Sequence, residues 1–205
     1  MACEIDWLAF LVAMALVELT PGPNMGWLTA QSAQMGRKVG FMAVAGITLG
    51  LCVQLVAAAT GFSAFVAGNE VIFHTLRWAG VLFMLYLAWE AYAEGGETSP
   101  GIASGMDGFR RGFVANLLNP KALVFYIAVV AQFATCEAWP VLVQLLILGG
   151  LHILVSVIIH SGLVLLGSSL GERIGRWRQL IWVRLGFALS LAAIAVWIAI
   201  SVRAP

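Results

Sequence analysis

Long apolar stretches, parted by short polar or glycine-rich connectors, set the pattern of this chain. Crossing a hydrocarbon core takes about 20 mostly apolar residues, with a range of roughly 17–25. Six stretches meet that length: 5–30, 39–67, 74–93, 111–134, 140–166 and 181–202. The pattern predicts an all-α membrane protein with six transmembrane helices. The longest connector begins at Glu94 and holds Gly95-Gly96-Glu97-Thr98-Ser99-Pro100-Gly101, the composition of a flexible loop. It divides the chain into a first three-helix repeat (1–93), a connecting loop (94–110) and a second three-helix repeat (111–205). With an odd number of spans in each half, the second half enters the membrane from the opposite side. Such inverted-topology repeats are a common plan of secondary transporters.

Two polar interruptions fall inside these apolar runs, so helices one and four are predicted to be broken. The first is Thr20-Pro21-Gly22-Pro23-Asn24 and the second is Asn119-Pro120-Lys121. Proline has no N–H and clashes with the carbonyl four residues back. Pro21, Pro23 and Pro120 therefore free the carbonyls of Val17, Leu19 and Asn116, while Gly22 permits a sharp bend. Freed backbone groups are tolerated at membrane depth only where protein or a water-lined cavity satisfies them. Pro21 lies roughly 22 Å from the outer end of span one, and Pro120 roughly 14 Å from the inner end of span four, at 1.5 Å per residue. In a core about 30 Å thick the two breaks reach similar depth.

Half-helix ends offer N–H groups on one side and carbonyls on the other, which suits a zwitterion. Pro21, Gly22, Pro23, Asn24, Asn116, Asn119, Pro120 and Lys121 are the candidate substrate-binding residues. The bland alternative is a pair of structural kinks in packed helices. Lys121 reads either as a functional cation or as a snorkelling side chain that reaches the headgroups. Glu18, one turn before Pro21, reaches neither interface and must be protonated, paired or wet. Its depth and sign predict a pair with Lys121 that a substrate or a proton opens, making Glu18 and Lys121 the candidate proton-coupling residues.

Composition agrees with a membrane solvent. Hydrophobic residues are 61% of the 205 and charged residues only 10%, against about 25% charged in a soluble domain. Net charge is +1 and basic residues come in small clusters, which argues against nucleic-acid binding. Connectors after spans one, three and five carry Arg37, Lys38, Arg110, Arg111, Arg173, Arg176 and Arg178, with Arg184 just inside span six. Arg77 and Arg203 lie on the other side. The positive-inside rule then places both termini outside. Trp7, Trp78, Trp89, Trp139 and Trp182 fall near span ends, as an interfacial belt requires. With no basic n-region, the first run reads as a retained helix rather than a signal peptide.

Cys3, Cys52 and Cys136 form no ligand or CxxC spacing, so neither a metal site nor a disulfide framework is expected. Gly36, Gly40, Gly46 and Gly50, and Gly167, Gly171 and Gly175, read as close-packing faces that also suit a homodimer. His152 and His160, eight apart, could relay protons but read rather as polar groups packed against other helices, and Gln54 is a cavity candidate. Phosphate-cradling, nucleophile-elbow and zinc-protease motifs are missing, so no cofactor and no enzymatic activity are expected.

Together, Thr20-Pro21-Gly22-Pro23-Asn24, Gly36-Arg37-Lys38-Val39-Gly40, Gly46-Ile47-Thr48-Leu49-Gly50 and Asn116-Leu117-Leu118-Asn119-Pro120-Lys121 resemble the lysine-exporter (LysE/RhtB) family of amino-acid efflux proteins. The resemblance implies proton-driven export of basic amino acids, homoserine, threonine or homoserine lactone across a bacterial inner membrane. Two departures stand out. Leu51-Cys52-Val53 follows Gly50 where many relatives carry a polar or acidic residue, and Glu18 occupies a position expected to be apolar. Alternatives are metal-cation efflux, which would need clustered ligands, and a non-transporting membrane assembly subunit. A thiol-relay enzyme would need two approaching intramembrane cysteines.

Overall fold

A computed structural model of the chain describes residues 5–19, 23–61, 69–93, 105–134, 136, 138–174 and 180–201. Pro21, Gly22, Cys3, Gly175, Arg176, Arg178, Arg203 and most of the connecting loop lie outside the described residues. Those described form helices and turns, with no strand among them. In chain order they are α1 (Trp7–Leu19), α2 (Pro23–Met35), α3 (Arg37–Ala59), α4 (Glu70–Ala93) and α5 (Gly105–Leu117). Then come α6 (Pro120–Val124), a π-helical stretch (Phe125–Val130), α7 (Ala131–Phe133), α8 (Val141–Ile174) and α9 (Ile181–Ser201).

Helices α3 and α8 are each long and apolar enough to cross a membrane. The α1–α2 pair, bent by 51°, makes a third crossing if it is one broken span. Shorter apolar segments run over Trp78–Trp89 and Ile181–Ala193. Apolar side chains cover the outside, with Leu8 74% and Leu166 68% exposed. Helix α8 shows why this suits lipid. Gln144, His152, Ser156, His160 and Ser168 are buried at helical spacing, while Leu142, Leu146, Leu154, Ile158, Leu165 and Leu166 face out. A water-soluble helix would have these faces reversed.

Both interruptions fall where proline requires them. Helix α5 ends at Leu117 and α6 starts at Pro120, whose missing N–H is harmless at a first-turn position. Asn119 caps the new helix, its Oδ1 accepting from the Lys121 N–H at 3.1 Å. A third junction is tighter than the sequence suggests. Gly36 alone parts α2 from α3, at φ +84°, a left-handed conformation that glycine adopts without penalty.

Glycine also brings backbones together. A Cβ on Gly112 would strike the Ala43 carbonyl, and one on Gly46 the Phe109 carbonyl, so α3 and α5 touch main chain to main chain. Gly167 and Gly171 do the same for α8 against the Thr29 and Ala33 carbonyls of α2. Arg37 reaches the end of α8, its Nε donating to Ser168 Oγ at 3.2 Å and an Nη lying 3.6 Å from Glu172. That ion pair is exposed and adds little stability.

One cysteine departs from expectation. Cys136 is disulfide-bonded while Cys52 is a free thiol. Cysteine spacing carries no signal for a lone bridge, so the expectation of no disulfide framework is corrected at Cys136. Beside it, the buried Gln144 amide clamps the turn before α8. Its Oε1 accepts from the Cys136 N–H at 2.8 Å, and its Nε2 donates to the carbonyls of Cys136 (2.7 Å) and Trp139 (2.8 Å). Gln144→Leu strands the buried Cys136 N–H. It is expected to destabilise the fold by about 1–3 kcal/mol, read as a lower thermal midpoint in detergent.

Candidate functional site

The two interruptions meet. Asn24, in the first turn after the first break, donates from Nδ2 to Oδ1 of Asn116, one turn before the second, at 2.9 Å across 92 residues of sequence. Both are buried, Asn116 completely. The Asn116 carbonyl, deprived of its helical donor by Pro120, accepts instead from Gln54 Nε2 of α3 at 3.1 Å and from the Asn119 N–H at 3.1 Å. Asn116 Nδ2 in turn approaches Gln54 Oε1 at 3.4 Å. Gly50 makes room for this arrangement, since a Cβ there would overlap the Asn116 amide.

Around this junction lies a small cavity lined by residues of both halves, among them Glu18, Asn24, Asn116, Asn119, Lys121 and His160. Its free space is about 30 Å³. That is room for about two waters, far below the roughly 300–1,000 Å³ of an open small-molecule pocket. At this size the cavity does not admit an amino acid.

Glu18 also has a partner on α8 that its depth and charge did not point to. Its Oε1 lies 2.8 Å from His152 Nε2 on α8, and His152 Nδ1 lies 3.0 Å from the Tyr126 hydroxyl. Phe125 stacks on the same imidazole, with ring centroids 4.3 Å apart. Phe125 and Tyr126 open the π-helical stretch, a form that recurs at functional sites. Lys121 lines the same cavity and feels the Glu18 charge. His152 Nε2 stands within ion-pair distance of the Glu18 carboxylate. Depth and sign suggested Lys121 but not His152, because depth says nothing of which helix a side chain faces.

The Glu18–His152–Tyr126 chain can hold one proton more or less without moving a heavy atom. In one pattern the Tyr126 O–H donates to Nδ1 and Nε2–H donates to the carboxylate. In the other an imidazolium donates to both neighbours. Farther along α8, His160 Nδ1 lies 2.8 Å from the Ser156 carbonyl and 2.9 Å from the Ser156 hydroxyl. The two histidines thus line the cavity rather than merely packing. Their common stripe on α8 was the available signal, since Ser156 sits four residues from each. Among the described residues no three His, Cys, Asp or Glu side chains converge as a metal site requires.

The model of the LysE type translocator family matches residues 15–202, taking in both breaks and every cavity residue. The chain belongs to that family. It is a multi-pass membrane protein of this LysE kind. It is 29% identical to a homoserine/homoserine lactone efflux protein of Salmonella typhi over 175 residues, 83% of this chain and 82% of the relative. It is 28% identical to a leucine efflux protein of Salmonella choleraesuis over 203 residues, 93% of this chain and 96% of the relative. No solved structure matches the chain significantly.

Proposed function

We infer that this LysE translocator exports small amino acids or their close derivatives, in the homoserine, threonine, homoserine lactone or basic amino-acid class, out of the bacterial cytoplasm. The Asn24–Asn116 bond is the observation that carries this reading, because it joins the two helix breaks in one buried polar site. Relatives named for homoserine and its lactone support that class, and one named for leucine widens it to neutral aliphatic amino acids. Those three compounds share an α-ammonium group, and the lactone has no carboxylate.

In this reading the chain has six spans as two inverted repeats, 1–93 and 111–205, with the breaks facing each other. Substrate binds among Pro21, Gly22, Pro23, Asn24, Asn116, Asn119, Pro120 and Lys121. The cavity of about 30 Å³ is the occluded form, so helices must part before an amino acid enters. Export is coupled to protons, with Glu18 and Lys121 sharing the cavity. The Glu18–His152–Tyr126 chain holds the proton, and its two interchangeable hydrogen-bond patterns are the support for that role. Arg37, Lys38, Arg110, Arg111 and Arg173 gather at one end of the bundle, as Val39 beside Gly108 and Arg37 beside Glu172 require. That end faces the cytoplasm and both termini face outward.

Proteoliposomes test the reading. Wild-type protein should exchange labelled leucine or homoserine across the vesicle wall and accumulate it when a pH gradient is imposed. At saturating substrate, Glu18→Gln should retain exchange, which needs no net proton movement, and lose most gradient-driven accumulation. Equal loss of both would remove Glu18 from coupling. Absence of exchange of every amino acid tried in the wild type would remove the exporter assignment.

A further inference from the structure

The geometry points to an ammonium subsite built from two orphan acceptors, Asn24 Oδ1 and His160 Nε2, beside the Glu18 carboxylate. This deepens the exporter reading and rests on it for the identity of the ligand, an α-ammonium group. Both atoms are buried without a hydrogen-bond partner, and both residues, each 5% exposed, line the cavity. Buried polar atoms lacking partners are rare and need a reason.

Their chemical character is fixed by backbone carbonyls, which can only accept. Gln54 presents its NH₂ to the Asn116 carbonyl, so its Oε1 faces Asn116. Asn116 must then turn its NH₂ toward Gln54 and its oxygen toward Asn24. Asn24 spends its NH₂ on that oxygen, which leaves its own Oδ1 as a bare acceptor. The same logic applies on α8. His160 Nδ1 faces the Ser156 carbonyl at 2.8 Å and so carries the hydrogen. In the neutral imidazole Nε2 is then a lone pair. An imidazolium would bury an N–H with no acceptor.

Two neutral acceptors and a carboxylate around one cavity call for a ligand with several N–H donors and a positive charge. A primary ammonium has three donors and no acceptor. A carboxylate placed on these three groups would meet lone pairs and a negative charge, and its group of opposite sign is Lys121 in the same cavity lining. Glu18 is held by His152 on one oxygen, so the arriving ammonium finds a carboxylate already oriented by α8.

The test uses the full chain in detergent and in vesicles with three probes: leucine, leucinamide (ammonium without carboxylate) and 2-hydroxyisocaproate (carboxylate without ammonium). Leucine and leucinamide should raise the thermal midpoint and compete for leucine exchange, and the hydroxy acid should do neither. Asn24→Ala and His160→Phe should each raise the half-saturating leucinamide concentration roughly 10-fold or more, as expected for a hydrogen bond to a charged group. His160→Gln, which restores an acceptor, should recover part of the loss. Midpoints measured without ligand report whether each variant folds. Stabilisation by the hydroxy acid equal to that by leucinamide, or unchanged leucinamide affinity in both folded variants, would overturn the subsite and leave export standing. Ammonium-dependent stabilisation without any exchange would do the reverse, keeping the subsite and removing export.

Discussion

Asn116→Leu should abolish transport. The leucine has nearly the shape of the asparagine, yet it removes the acceptor for Asn24 Nδ2 and the donor facing Gln54 Oε1 in one step. Each buried group stranded in this way costs about 1–3 kcal/mol. Asn24 and Gln54 are then free to reorient, and the two helix breaks lose a buried side-chain bond that joins them. At 1.4 kcal/mol per factor of ten, even a loss of about 3 kcal/mol at the binding step lowers exchange roughly 100-fold. Leucine exchange per milligram of reconstituted protein is the measurement. Activity within a few-fold of wild type would mean that the junction serves folding alone.

A second change should act on folding itself. Gly112→Leu drives a side chain into the Ala43 carbonyl and Cα, atoms that cannot step aside by changing rotamer. Helices α3 and α5 would have to separate along their shared face, and overpacking of this kind costs 1–3 kcal/mol and occasionally more. The reciprocal clash at Gly46 with Phe109 shows that neither helix has slack. Size-exclusion chromatography in mild detergent should find little monodisperse protein. Gly186→Leu is the matched control, because a Cβ at Gly186 meets nothing within 4 Å. A normal profile for Gly112→Leu would contradict the close approach.

The helix breaks were legible because proline acts through covalent geometry, which needs no tertiary partner to take effect. The Asn119 cap and the fresh helix at Pro120 follow from the same local chemistry. Similar depth of the two breaks came from counting residues, and the Asn24–Asn116 bond is consistent with that count. Partner choice was not legible. Glu18 could be placed in the apolar interior, but its meeting with His152 depends on how α1 and α8 face each other across 134 residues. Nor does Phe125-Tyr126-Ile127-Ala128-Val129-Val130 announce a π turn, since any apolar helix former fits that run. His160 and Asn24 were visible as polar residues, whereas their bare acceptors emerge only from a hydrogen-bond chain traced through three helices.

Gly36 has a mechanical corollary. Two rods joined through one residue share a single pivot, so they cannot slide along each other and can only scissor. One blade, α2, leans on the C-terminal end of α8, while the other, α3, leans on α5 and also on α8, where a Cβ on Gly149 would meet Leu55. Because α8 braces both blades, that pivot can open only if one of them parts from it.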